Sequence, residues 1–112
     1  LKKTKIKWLK EKCMAIVLCS KGYPGKYKKN IVIKNLKKIK FSRKNLLFHA
    51  GTILNRGKIY SNGGRVLNIV SLGSNFLKIR KTIIRNIRKI NWKSGFYRKD
   101  IGWKVIKKNA NN

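Results

Sequence analysis

Tyr60-Ser-Asn-Gly-Gly-Arg-Val-Leu67 sets two glycines and an arginine between an alternating strand at 58–61 and an apolar one at 66–72. A glycine pair has no Cβ to hold a ligand off and tolerates positive φ, so the main chain here can bend sharply and approach an anion closely. Arg65 then offers a planar fork of donors that matches the oxygens of a phosphate or carboxylate. The same spacing also fits a hairpin turn whose arginine points into water. What surrounds the run decides between the two.

Downstream, Gly73-Ser74-Asn75 ends the apolar strand and supplies a helix N-cap. Phe76, Ile79, Ile83, Ile84, Ile87 and Ile90 then recur at three and four residues, which predicts one amphipathic helix over 76–90 with its apolar stripe buried. Lys78, Lys81, Arg85, Arg88 and Lys89 crowd the opposite side, a solvated face whose like charges oppose the helix. Residues 92–105 are rich in aromatics and hold Asp100, the only acid of the second half.

Upstream, Cys13-Met-Ala-Ile-Val-Leu-Cys19 has no polar interruption and predicts a strand buried on both faces. It stops at Ser20-Lys-Gly-Tyr-Pro-Gly25, where Pro24 and Gly25 suit the central positions of a type II turn. Ile31-Val-Ile33 is a short strand, followed by a lysine-rich connection from Asn35 to Lys44. Residues 46–54 resume strand character, and Asn55-Arg-Gly57 turns the chain into 58–61. Lys2 to Lys12 reads as a short, solvated helical lead-in or the frayed end of a preceding element. The pattern predicts one α+β domain of short, mostly antiparallel strands, barrel-sandwich-like, with one main amphipathic helix.

The chain has 112 residues, enough for one small domain with a single modest core. Its 31 Lys and Arg stand against two acids, Glu11 and Asp100, for a formal charge of +29. Nucleic acid is the first partner such a charge suggests. The cations are spread along the whole chain, however, with Ile and Asn abundant beside Lys, as an AT-rich coding sequence produces. Non-specific, salt-sensitive polyanion binding is the expectation that survives. Cys13 and Cys19 form no Cys-x-x-Cys pair, and as strand ends they lie too far apart to bridge. Two reduced core thiols in a cytoplasmic protein are expected, with no metal site. The longest apolar run is far too short to cross a bilayer, so no membrane partner is expected.

Four runs occur in a fixed order: Gly22-Tyr-Pro-Gly25, Phe48-His-Ala-Gly-Thr52, Tyr60-Ser-Asn-Gly-Gly-Arg-Val-Leu67 and Tyr97-Arg-Lys-Asp-Ile-Gly102. In that order and spacing the chain resembles the carboxy-terminal domain of glycinamide ribonucleotide synthetase, or phosphoribosylamine-glycine ligase, over about residues 13–106. Residues 1–12 then lead in from a preceding module and 107–112 form a polar tail. The resemblance implies an ATP-dependent ligase of de novo purine biosynthesis that joins glycine to 5-phosphoribosylamine. It implies that ATP and magnesium or manganese are held by preceding ATP-grasp modules of the same polypeptide, none of them by this segment. It also implies that this domain closes the active site and bears on the sugar phosphate, with no catalytic residue of its own. Two departures stand out: Asn30 occupies a position where the family commonly has glycine, and the helix lacks the family's usual acids. They leave open a decaying gene, or a basic nucleic-acid-binding module on a retained enzyme scaffold.

Gly63, Gly64 and Arg65 are the substrate-binding candidates, with the 5-phosphate of phosphoribosylamine as the implied ligand. His49, lone and on an apolar strand, is expected to be a hydrogen-bonded core residue, not a proton shuttle. Asp100, two residues from Arg98, is expected to hold a structural ion pair or cap a helix, and its loss to leave buried partners unpaired. The aromatics Tyr23, Tyr27, Tyr60, Trp92, Phe96, Tyr97 and Trp103 are expected mainly to pack, not to stack on bases.

Overall fold

A computed structural model describes residues 5–102 together with Lys104 and Ile106. The strands are β1 (Lys12–Ser20), β2 (Val32–Ile33), β3 (Asn45–His49), β4 (Thr52–Asn55), β5 (Lys58–Ser61), β6 (Arg65–Gly73) and β7 (Gly95–Phe96), with helix α1 (Phe76–Lys89) between β6 and β7. They form a four-stranded sheet in the order β3-β6-β1-β7 and a three-stranded sheet in the order β2-β5-β4. All these pairings are antiparallel, so the α+β class stands.

Helix α1 follows its stripe. Asn75 is the N-cap, its side-chain oxygen accepting the Lys78 N–H at 3.1 Å. Ile79 and Ile83 are buried, while Phe76, Ile87 and Ile90 pack half-buried against the same cluster. Removing a fully buried isoleucine such as Ile83 to alanine costs about 2–5 kcal/mol. The sequence hid Asn86, a polar residue that is also buried on this helix.

Strand β1 corrects the expectation of burial on both faces. Met14, Ile16, Leu18 and Ser20 are buried beneath α1, whereas Cys13, Ala15, Val17 and Cys19 on the other face are exposed or half-buried. Both cysteines are free, but Cys13 is exposed and not a core thiol. Register carries the open face across the sheet: Cys13 lies opposite Leu72, Ala15 opposite Val70 and Val17 opposite Asn68, while β3 adds Leu46 beside Val70 and Phe48 beside Asn68.

The register slips between Leu18 and Cys19, so that Cys19 faces Arg65 and Val66 is the extra residue of a bulge. Strict alternation from Leu67 would put Arg65 on the helix side. The bulge turns it to the open side instead.

Other expectations need correction. Residues 5–11 are not helical, and residues 1–4 lie outside the described residues, as do Trp103 and the polar tail 107–112. The strand expected over 46–54 breaks at Ala50-Gly51, β3 joining one sheet and β4 the other. The tight turn after β1 falls earlier than Pro24-Gly25: the Tyr23 N–H donates to the Ser20 carbonyl at 3.0 Å with Gly22 at φ +101°, and Tyr23-Pro24 is cis. Asn30 sits at φ 61°, in the left-handed region that favours glycine and that asparagine tolerates best among other residues.

Candidate functional site

The double-glycine bend is clamped from both sides. Ser20 holds it from β1: its hydroxyl donates to the Gly63 carbonyl at 2.6 Å and its N–H to the Gly64 carbonyl at 2.7 Å. Gly51 holds it from the opposite side, its N–H donating to the Arg65 carbonyl at 3.1 Å while its own carbonyl takes the Asn62 N–H at 2.6 Å. Neither Gly63 nor Gly64 has positive φ, contrary to the sharp-turn expectation. Space is what demands glycine here. A Cβ on Gly64 would stand 2.0 Å from the Tyr23 ring, and one on Gly51 would stand 2.7 Å from the Arg65 carbonyl oxygen.

The result is a fixed backbone that delivers Arg65 into an open cleft of about 520 Å³, lined by Val17, Tyr23, Ala50, Gly51, Gly64, Arg65 and Asn68. Tyr23, Ala50 with Gly51, and Gly64 with Arg65 come from three of the four runs that carried the resemblance, distant in sequence and adjacent in space. Arg65 is exposed, and its guanidinium makes no hydrogen bond or ion pair to any described residue. A guanidinium held by its backbone and left without a counter-ion is a ready donor site for an anion's oxygens. The partly buried Cys19 thiol lies across the strand from it. Burial pushes that thiol's pKa up, with the nearby Arg65 charge opposing the rise.

The fourth run sits next door. Arg98 and Ile101 line a smaller hollow with Ala15, Val17, Cys19 and Phe96, so Val17 borders both spaces. Arg98 donates to both carboxylate oxygens of Asp100, at 3.3 and 2.9 Å. That pair is exposed, not buried as expected, and the Arg98 guanidinium holds the Asp100 carboxyl below its ordinary pKa. His49 is likewise no core residue: it is exposed, its Nδ1 3.0 Å from the Thr52 hydroxyl. The loop is tied down by a residue that sequence reading missed, Arg80, which donates from α1 to the carbonyls of Ile101 at 3.2 Å and of Lys99.

A second hollow, of about 260 Å³ by the end of α1, is lined by Leu18, Ile87, Ile90, Trp92, Gly95, Phe96, Tyr97 and Lys99. Of the aromatics, Trp92 is buried and Tyr97 packs on the core, whereas Phe96 is 37% exposed.

No three His, Cys, Asp or Glu side chains converge among the described residues, and both acids are paired with cations, Glu11 with Arg43 and Lys44 at 3.2 and 3.5 Å and Asp100 with Arg98. No helix among them is long and apolar enough to cross a membrane.

Comparison with known proteins gives a consistent result. A domain family described as "Phosphoribosylglycinamide synthetase, C domain" matches residues 13–104. The phosphoribosylamine-glycine ligase of Caldanaerobacter subterraneus is 42% identical over 101 residues, 90% of this chain and 24% of the relative. That of Agrobacterium fabrum is 40% identical over 106 residues, 95% of this chain and 25% of the relative. The crystal structure of the Thermotoga maritima ligase superposes with a TM-score of 0.65 at 28% identity, covering 79% of this chain and 21% of that one. The chain thus spans about a quarter of the length of the curated relatives it matches.

Proposed function

The chain belongs to the phosphoribosylglycinamide synthetase C-domain family, and from that premise we propose that it works as the carboxy-terminal part of a phosphoribosylamine-glycine ligase, seating the 5-phosphate of phosphoribosylamine on Arg65. The reaction is the ATP-dependent joining of glycine to that amine in de novo purine biosynthesis, in the cytoplasm. In this reading residues 13–106 are the carboxy-terminal domain, with 1–12 the lead-in from a preceding module and 107–112 a polar tail.

The observation that carries the reading is the unpaired Arg65 guanidinium at the meeting point of three separate sequence runs. Gly64 and Gly51 keep Cβ atoms away from the cleft beside it, and Ser20 fixes the backbone beforehand. Such a prearranged donor holds a phosphate while the reacting groups are supplied by other modules, and it limits the freedom lost on binding. ATP and magnesium or manganese are assigned to those modules, and the pairing of Glu11 and Asp100 with cations is consistent with no metal being held here. The charge of +29 supports salt-sensitive attraction of any polyanion as a side property of the same surface.

Arg65→Ala tests the reading in a complete ligase, made by grafting this chain onto the remainder of the Caldanaerobacter relative. A charge-assisted contact is worth about 1.5–3 kcal/mol, so phosphoribosylamine affinity should fall roughly ten- to hundredfold with thermal stability unchanged. Unchanged affinity with an earlier melt makes Arg65 a structural residue and defeats the phosphate assignment.

A further inference from the structure

Strand β6 carries three polar side chains, Arg65, Asn68 and Ser71, among apolar ones. Ser71 is buried and spent inside the fold, its hydroxyl donating to the Asn45 Oδ1 at 2.7 Å. The other two are left over, and both line the cleft of about 520 Å³. Asn68 is half-buried between Val17 of β1 and Phe48 of β3, the residues directly opposite it, and its side-chain amide hydrogen-bonds to no described residue. Asparagine is disfavoured in strands, and an unpartnered one between apolar neighbours costs the sheet stability without a structural return.

Residues three apart on a strand ordinarily face opposite sides. The bulge at Val66 absorbs one step, so Arg65 and Asn68 share the open face, no more than about 11 Å apart along the backbone. Their chemistries differ. A guanidinium only donates, which suits the oxygens of a phosphate, whereas an amide donates from nitrogen and accepts at oxygen, which suits two neighbouring hydroxyls. Val17 and Ala50 in the same wall offer apolar contact to the C–H groups of a ring. An anion seat followed along one strand by a donor-acceptor pair complements a phosphorylated sugar better than free phosphate.

We infer that Asn68 reads the sugar, its amide bonding the adjacent 2- and 3-hydroxyls of the ribosyl ring while Arg65 holds the 5-phosphate. The inference rests on the function proposed above and adds the contact that sets its specificity. Asn68 thereby selects ribosyl over 2-deoxyribosyl ligands, because loss of the 2-hydroxyl leaves half of the amide unpaired in a partly desolvated wall.

Calorimetric titration of the graft of this chain onto the rest of the Caldanaerobacter ligase tests this, with ribose 5-phosphate and 2-deoxyribose 5-phosphate as stable stand-ins for phosphoribosylamine. The parent graft should bind ribose 5-phosphate about three- to tenfold tighter than the deoxy sugar. Asn68→Leu, which keeps the shape and removes the amide, should bind both at about the parent's affinity for the deoxy sugar. It should also melt no lower, since leucine there packs on Val17 and Phe48. Arg65→Ala should weaken both ligands and keep their ratio. Equal affinities in the parent overturn the inference. So does a preference that survives Asn68→Leu, which puts the hydroxyl contact elsewhere, or a fall in both affinities with an earlier melt, which makes Asn68 structural. Failure of the phosphate seat looks different: Arg65→Ala leaves both affinities unchanged while Asn68→Leu still abolishes the preference, which keeps the sugar contact and removes the 5-phosphate from Arg65.

Discussion

Two glycine-arginine turns lie within ten residues of each other, and they need their glycines for opposite reasons. At Asn55-Arg56-Gly57-Lys58 the two central residues have φ of 51° and 78°, the signature of a type I′ hairpin, and nothing lies within 4 Å of a Cβ built on Gly57. At Gly63-Gly64-Arg65 the φ angles are ordinary, but Tyr23 and Gly51 press on the backbone. The first is a turn that exists to reverse the chain, and its arginine bears the strained conformation. The second is packed between two other segments, and its arginine is free to meet a ligand. Neighbouring glycine and arginine letters therefore say little until the reason for the glycine is known.

The contrast can be broken by substitution. Gly64→Ala should have the largest effect, about 1–3 kcal/mol of lost stability from overpacking against Tyr23, with phosphate affinity falling in parallel; calorimetry and phosphate titration check both. Unchanged stability there would mean that Tyr23 simply swings away and the bend is not clamped. Gly57→Ala should cost about 1–2 kcal/mol through left-handed strain alone and leave ligand affinity untouched. Arg56→Asn should add roughly 0.5 kcal/mol, because asparagine suits the first position of this turn. Asp100→Asn should change least, since the pair with Arg98 is exposed. Its sign is fixed by linkage: a carboxyl whose pKa is lowered on folding stabilises above its unfolded value and loses that contribution as pH falls through the folded one. Acid titration of wild type and D100N should therefore coincide at low pH and differ slightly near neutrality.

Much of this was legible from the letters. The isoleucine stripe announced α1, and the Asn75 cap fixed its start. Cys13 to Cys19 misled because an apolar run reads alike whether its second face is buried or left open; Ala15 and Val17 carry no mark of the difference. His49 misled because it is the last residue of β3 at the sheet edge, where its ring meets the Thr52 hydroxyl and water instead of the core. Arg65 was identifiable as a candidate. The clamp around it was not, because Ser20, Tyr23 and Gly51 approach the bend only after the chain has folded. No periodicity flags a buried polar residue such as Asn86 or Ser20 in advance.

The bulge between Leu18 and Cys19 makes the location of the guanidinium a matter of parity. One additional residue placed after Leu18 would pair with Val66, restore even counting along the two strands, and send the positive charge beneath the helix among isoleucines. Every side chain of the bend would remain, and the anion seat would be gone. Drift by single-residue insertion is thus more dangerous to this site than most exchanges of one amino acid for another.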